Sequence, residues 1–301
     1  MSAGDPPWFA TDPETGEIII EEVPERLATH PDLQRRGIVP ADPLKLGFVY
    51  TTPPYSRPRY AIKILNSKTE ELLIYKRLLR LSPASPNHTI PCELSQSGHP
   101  LLIMPLLDDV IGLRPTRPWT LHEMLSLFLQ VVEGVEFLHR LHIVHMDLCP
   151  SNVLAAGLHH VEGHKDLVAG KVYIIDFDSA RQLSLGPGKQ PAVKLPPTQI
   201  DPPHGLRHFD PYSWDVYCAA HVLEDIIRVN KAEHSAGIAR RYVQWLMGNE
   251  RGCLDVCHCR PTARKAREVL VTLRLIVYVL RILRTTSAAA DIQMQNNVHY
   301  P

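Results

Sequence analysis

The chain has 301 residues, 45% of them apolar, with Lys+Arg and Asp+Glu equal at 32 each. That is the balance of one large globular domain or of two lobes sharing an interface. Zero net charge and a pI near 7.3 argue against a general binder of nucleic acid or anionic membrane.

Twenty-seven prolines predict long irregular segments. Residues 1–7 show no basic stretch followed by an apolar core, so no signal peptide is read. The longest apolar stretch, Val269 to Leu283, is interrupted by Arg274 and Arg281. It falls short of the ~20 residues that a spanning helix needs. The expectation is an intracellular, cytoplasmic chain, with the nucleus left open and the six cysteines reduced. Cys253, Cys257 and Cys259 with His258 lack the CxxC spacing and second pair of a zinc knuckle, so they read as a Cys-rich loop.

Residues 1–42 are rich in Pro and acidic groups and read as an extension, partly packed and partly disordered. Phe48–Tyr50 and Tyr60–Leu65 read as strands, with Pro53, Pro54 and Pro58 in the turn between them. Helical spacing of Leu72, Leu73, Ile74, Leu78 and Leu79 predicts a helix over 69–81. Leu101–Met104 reads as a buried strand ended by Pro105. Thr120 and Glu123 form a capping-box pattern that opens a long helix to about His139. A Gly/His-rich loop over 155–170 precedes a strand at 171–175. Residues 182–210 read as a long exposed segment, followed by helices at 214–229, 235–247 and 262–284. The tail 286–301 is polar and reads as disordered.

The most informative stretch is His145-Met146-Asp147-Leu148-Cys149-Pro150-Ser151-Asn152, followed by Ile175-Asp176-Phe177-Asp178. An Asp, an Asn five positions on and a second Asp after an apolar run form the set that phosphoryl transfer from a Mg-nucleotide needs. One carboxylate orients the acceptor hydroxyl, and an amide and a second carboxylate hold metal on the phosphates.

With these motifs the order of elements resembles the eukaryotic protein kinase family over about residues 45–285. The resemblance implies an α+β, two-lobed fold, with a small β-rich lobe (43–107) and a larger, mainly helical lobe (108–285). It implies ATP and Mg²⁺ as cofactors and a protein substrate or partner. It further suggests no nucleic acid, no membrane and a monomer. Lys63 in Ala-Ile-Lys matches the strand lysine that contacts the α- and β-phosphates, although an exposed strand lysine reads the same way. Glu71 matches its helix partner, with Glu70 as the alternative. Met104 takes the gatekeeper position and Pro105–Leu107 the hinge. The hinge pattern uses a carbonyl at Pro105 and an amide at Leu107, and proline keeps the carbonyl. Asp147 matches the catalytic Asp, and Asn152 and Asp176 the metal ligands. His145, Phe177 and Tyr75 are expected in the core. Asp215 matches the Asp that anchors the catalytic loop, and Arg260-Pro261-Thr262-Ala263 the late segment that separates protein kinases from small-molecule phosphotransferases.

Several positions depart from the pattern. No Gly-rich loop precedes Lys63. Gly47 stands alone upstream of it, and prolines fill the hairpin expected over the phosphates. Met146 replaces an arginine that pairs with a loop phosphate. Cys149 replaces a lysine that neutralises the transferred phosphoryl group, a loss that could cost ~10²–10³ in rate. Asp178 replaces the glycine after Asp176-Phe177, and Pro202-Pro203-His204 stands where Ala-Pro-Glu is expected, which would leave Arg260 without its glutamate. Three readings follow: a divergent Ser/Thr protein kinase, a pseudokinase acting as an interaction module, and a small-molecule phosphotransferase.

Overall fold

The computed structural model describes residues 4–20, 22–81, 86–112, 117–203, 206–230, 237–249 and 256–297. The small lobe is built on a five-stranded antiparallel sheet, β3 to β7, which begins after a folded N-terminal segment. That segment holds the hairpin β1 (Ala10–Thr11) and β2 (Ile18–Ile19), then helices α1 (Glu25–Ala28) and α2 (Pro31–Arg36). The sheet follows as β3 (Pro43–Lys45), β4 (Val49–Thr51) and β5 (Tyr60–Ile64). Helix α3 (Glu71–Leu78) comes next, then β6 (Glu93–Leu94) and β7 (Leu101–Pro105). The strand order is β3-β4-β5-β7-β6.

Strand periodicity explains the apolar runs. Side chains alternate across a sheet. Ala61, Leu102 and Met104 join the core that continues into the large lobe. Ile62, Ile64, Leu101 and Ile103 pack on the opposite face against Trp8, Leu27, Leu33 and Ile38. A sheet covered on both faces reads as continuous hydrophobic sequence rather than as alternation. The N-terminal segment is therefore the second cover of the sheet, so the packed part of the expected extension reaches from Trp8 to Ile38. Polar composition hid four well-spaced apolar anchors.

The large lobe starts with β8 (Asp108–Asp109) and helix α4 (Leu121–Arg140), whose Thr120–Glu123 capping box is formed as predicted. The segment β9 (Ile143–Val144), a 3-10 turn over Pro150–Asn152 and β10 (Val153–Ala155) carry the Asp147…Asn152 sequence. The expected 155–170 loop contains a short helix α5 (Leu158–Gly163) before β11 (Val172–Ile174). The segment after β12 (Arg181–Gln182) is less open than its prolines suggested, because β13 (Val193–Lys194) pairs with β14 (His208–Phe209). Helices α6 (Pro211–Asn230), α7 (Gly237–Met247) and α8 (Ala263–Asn297) complete the lobe. Helix α8 continues to Asn297, into the tail that its polar composition marked as disordered. Among the described residues no helix is long and apolar enough to cross a membrane.

Asp32 fastens α2 to the sheet. Its carboxylate accepts from Ser97 Oγ (2.8 Å), from the Ser97 N–H (3.2 Å) and from the Gln96 N–H, and it pairs with Arg35 at 2.8 Å. The Ser97 hydroxyl, helped by those amides and against the effect of burial, holds its pKa at about 2. An unfolded Asp titrates near ~3.9. A depressed folded value means that this docking contributes stability above that pH and loses it as pH falls through 2. Asp32→Asn is expected to lower the melting temperature at pH 7, by a margin that shrinks progressively below pH 4. Thermal melts of both proteins across that range check it.

Candidate active site

A cavity of about 600 Å³ lies between the lobes, under the β3–β4 hairpin. Its walls include Val49, Ala61, Met104 and Leu154 on the apolar side, and Lys63, Asp147, Asn152 and Asp176 on the polar side. Pro105 and Leu107 line it as well. The volume falls within the ~300–1,000 Å³ of small-molecule sites.

Lys63 stands in register with Val49 and Leu102, near the middle of the sheet. Its ammonium lies 2.7 Å from Glu71 Oε1 and 2.6 Å from Asp176 Oδ1. Glu71 is fully buried at the first turn of α3, and its Oε1 also accepts the Phe177 N–H at 3.0 Å. One carboxylate oxygen thus joins the sheet, α3 and the loop after β11. Burial pushes the Glu71 carboxyl up to about 7, against the pull of Lys63. Burial also disfavours charge on Lys63 and Asp176, but their contact prevails: the ammonium stays above its usual range and the Asp176 carboxyl below its own. Glu70, the alternative partner, instead accepts the Gln182 N–H at 3.0 Å.

The backbone of the 145–152 loop is set from beneath. Buried Asp215, in the second turn of α6, accepts the His145 N–H and the Met146 N–H, both at 2.8 Å, and lies 3.0 Å from His139 Nε2. Trp214 Nε1 donates to the Met146 carbonyl at 2.8 Å. Met146 can therefore hold φ = 67°, a region that L-residues seldom adopt. Asp176 sits at φ = 64°, held by Lys63 and by its neighbour's bond to Glu71. Strained backbone of this kind persists only where its surroundings over-determine it. Asp178 lines the cavity but is not among the positive-φ residues, so the absent glycine is not required for the backbone here. Tyr75, Phe177 and His145 pack ring on ring at 5.1 and 5.2 Å, as expected.

Asn152 Nδ2 donates to the Asp147 carbonyl at 2.9 Å, which ties the two together. Asp147 itself is engaged by the segment before β14. Its Oδ1 accepts the Gln199 N–H at 2.8 Å and its Oδ2 the Gln199 side-chain amide at 3.3 Å. Sequence reasoning missed Gln199, because nothing in Pro-Pro-Thr-Gln-Ile marks the residue that folds back. It also missed Lys45, which lines the cavity from the hairpin and helps to lower the Asp176 pKa. Cys149 supplies no positive charge, and burial pushes its thiol pKa up against the hydrogen bond with Ser151 Oγ at 3.1 Å.

The hairpin over the cavity is β3–β4, one connection earlier than the proline-rich turn, so the prolines do not occupy it. Gly47 lies at its tip with φ = +80°, and a Cβ there would come within 2.8 Å of Phe9 and Pro7. The Gly47 N–H donates to Tyr50 Oη at 3.2 Å, and its carbonyl accepts from Trp8 at 2.9 Å. The N-terminal segment thus pins the hairpin from outside. In the hinge the Leu106 N–H is taken by the Arg59 carbonyl at 3.1 Å, whereas the Leu107 N–H has no backbone partner among the described residues.

Arg260 donates to the Met247 carbonyl at 2.7 Å and lies over the rings of Phe209 and Tyr217. Aromatic faces, that carbonyl and Ser213 Oγ at 3.3 Å are among its contacts, while His204 lies outside the described residues. Cys253 of the Cys-rich loop also lies outside them, and the Cys257 N–H donates to Asp210 at 3.0 Å. Asp108, His159 and His160 come within 4.8 Å of one another. His160 Nδ1 accepts the Gly157 N–H at 2.9 Å, so its neutral ring carries the proton on Nε2, the nitrogen facing Asp108. That tautomer does not suit metal ligation.

The protein kinase domain family model matches residues 94–196. The chain is 29% identical over 178 residues to the serine/threonine-protein kinase bur1 of Neurospora crassa, which covers 52% of this chain and 30% of that protein. It is 30% identical over 90 residues to the putative serine/threonine-protein kinase R436 of Acanthamoeba polyphaga mimivirus, 27% of this chain and 28% of that protein. The matched stretch spans less than a third of the length of either curated relative. Two lobes around this cleft, together with these similarities, support a two-lobed α+β fold of the protein kinase-like type.

Lys63 separates two carboxylates, and removing one partner of a buried ion pair costs about 3–5 kcal/mol. Lys63→Met is expected to destabilise the fold by roughly that amount, and adding Glu71→Gln to recover part of the loss. Chemical denaturation of the single and double variants checks both.

Proposed function

We propose that the chain is a divergent ATP-dependent protein kinase, transferring the γ-phosphoryl group to Ser or Thr hydroxyls of a protein substrate. The observation that carries this reading is the Lys63 ammonium held between Glu71 and Asp176 at the floor of a cavity that also contains Asp147 and Asn152. The donor set suits a metal-bound polyphosphate: a fixed cation and hard oxygens at one end, an apolar slot at the other. Mg-ATP, when bound, supplies the phosphoryl group and metal charge that neutralises it.

Within this reading Val49, Ala61, Met104 and Leu154 enclose the base, and the Pro105 carbonyl and Leu107 N–H address its edge. Lys63 binds phosphate oxygens, with Lys45 as a second cation on the roof in place of the charge lost at Cys149. Asp176 and the Asn152 side-chain oxygen would hold Mg²⁺. Asp147 orients the acceptor hydroxyl and takes up its proton. The Gln199 amide must leave Asp147 for the hydroxyl to reach it.

A second reading, a pseudokinase acting through protein contacts, is favoured by two observations. The Gly47 N–H is spent on Tyr50, and both Asp147 carboxylate oxygens are engaged by Gln199. The small-molecule phosphotransferase is disfavoured by the Asp215 and Arg260 anchors, which follow the protein-kinase pattern.

A thermal-shift titration with Mg-ATP is expected to raise the melting temperature, and no shift at millimolar nucleotide overturns nucleotide binding. Transfer of labelled phosphate is expected from the wild type and to fall at least ~10²-fold in Asp147→Asn, the scale of losing a group that acts in the transition state. Binding without transfer in either protein supports the pseudokinase. Gln199→Ala frees one oxygen of Asp147 and is expected to raise the rate severalfold while leaving nucleotide affinity unchanged. Steady-state kinetics beside the titration separate these.

A further inference from the structure

The connection between β10 and β11 runs over residues 156–171 and carries α5. It is rooted in the large lobe. Buried Leu167 joins the main core, Tyr173 Oη accepts the Val168 N–H at 3.0 Å, and Gln130 Nε2 of α4 donates to the Gly170 carbonyl at 3.0 Å. The other part of the connection reaches the small lobe. His164, the residue that ends α5, lies edge-on to the Tyr60 ring, with centroids 5.1 Å apart and planes at 81°. Its Nε2 lies 2.9 Å from the Arg59 carbonyl oxygen. A carbonyl only accepts, so Nε2 carries a proton and donates it to this bond.

Arg59 and Tyr60 are also the residues against which the hinge is set. The Arg59 carbonyl accepts the Leu106 N–H at 3.1 Å, and Tyr60 stands opposite Pro105 in the register of β5 and β7. One oxygen therefore takes a donor from the hinge and a donor from the large lobe, and both of its lone pairs are used. At the end of the hinge, His160 Nε2 of the same connection lies 3.8 Å from Asp108 Oδ2. Packing alone does not fix the stretch between these contacts. Pro105 borders the cleft and also a second cavity of about 620 Å³, which Tyr60, Ile103, His164, Lys171 and Tyr173 line as well. Open space beside a residue removes the close contacts that hold interior side chains in place. The position of the hinge then rests on directed contacts, and His164 supplies a hydrogen bond and a ring contact from the opposite lobe.

We propose that His164 is a positioning residue for the hinge. Through the Arg59 carbonyl and the Tyr60 ring it sets where the Pro105 carbonyl and the Leu107 N–H stand at the base end of the cleft. The link to the base rests on the nucleotide-binding reading above, whereas the hold on the hinge is independent of it. Replacing His164 leaves the Arg59 carbonyl with the Leu106 N–H, so that oxygen keeps a partner and the fold is expected to persist.

Hydrogen exchange of the full chain without nucleotide tests the hold on the hinge. The Leu106 amide is expected to exchange about fivefold faster in His164→Ala, the scale of one lost hydrogen bond. The Ile64 amide, bonded to the Phe48 carbonyl in the same sheet, is expected to keep its wild-type rate. His164→Gln retains an N–H donor without the ring and is expected to recover part of the protection, whereas His164→Phe retains a ring without the donor and is not. An unchanged Leu106 rate in His164→Ala overturns the proposal. So does an Ile64 rate that rises by the same factor, because that is a general loosening of the sheet. If His164→Ala does not fold, the other two variants decide: slower Leu106 exchange in His164→Gln than in His164→Phe supports the proposal, and equal rates overturn it.

Titration calorimetry tests the link to the base. Affinity for Mg-ATP is expected to fall about fivefold in His164→Ala and to recover in part in His164→Gln, by the same loss of one bond. Inorganic tripolyphosphate with Mg²⁺, which has the phosphates and no base, is expected to bind His164→Ala as it binds the wild type. Equal losses for the two ligands, or no loss for either, overturn the link. A wild type that binds no Mg-ATP overturns the nucleotide-binding reading instead, and Leu106 exchange still decides the role of His164 at the hinge.

Discussion

The single oxygen Oε1 of Glu71 organises this molecule. It receives the Lys63 ammonium from the sheet and the Phe177 N–H from the segment after β11, while its own helix α3 supplies the carboxylate. Three elements far apart in sequence are thereby brought to one point, and Asp176 is placed against the same ammonium. The arrangement is costly, because burial opposes the charge on Glu71. It holds because two donors, the Lys63 ammonium and the Phe177 N–H, converge on the oxygen. An ion pair with one member removed would leave the other buried and unpaired.

A second anchor does the same for the 145–152 loop. Asp215 lies in the buried face of α6 and takes two consecutive backbone amides of that loop. Those bonds hold Met146 in a left-handed conformation that a side chain of its size would otherwise avoid. The loop that presents Asp147 and Asn152 is therefore placed by the large-lobe core, whereas Lys63 is placed by the small-lobe sheet. The cleft is the meeting of these two supports. Its two unusual features, the pinned hairpin at Gly47 and the engagement of Asp147 by Gln199, are both contacts from outside the pattern's own residues.

Much of the site was legible in the sequence because its spacings are local. Asp147 to Asn152 is one turn and its flanks, and Ile-Ile-Asp-Phe is a strand end. The Thr120–Glu123 box and the helical repeats of α4 and α6 were also legible, since capping and periodicity are properties of neighbours in sequence. The continuous apolar runs at 60–65 and 101–104 carried a further signal. They required cover on both faces, and that cover came from a segment whose composition suggested looseness.

What the sequence determined by itself was thus the set of chemical groups and the elements bearing them: the lysine strand, the acid on α3, the Asp…Asn loop, the second Asp and the late Arg-Pro-Thr-Ala. What only the tertiary structure decided was which of these groups meet and what else reaches them. Glu71 rather than Glu70 faces Lys63, because the start of α3 turns one inward and leaves the other to Gln182. Phe9 and Pro7 close on Gly47, and Gln199 folds back onto Asp147. Each of these depends on distance in space between residues far apart in the chain, and short-range propensity and spacing carry no information about that distance.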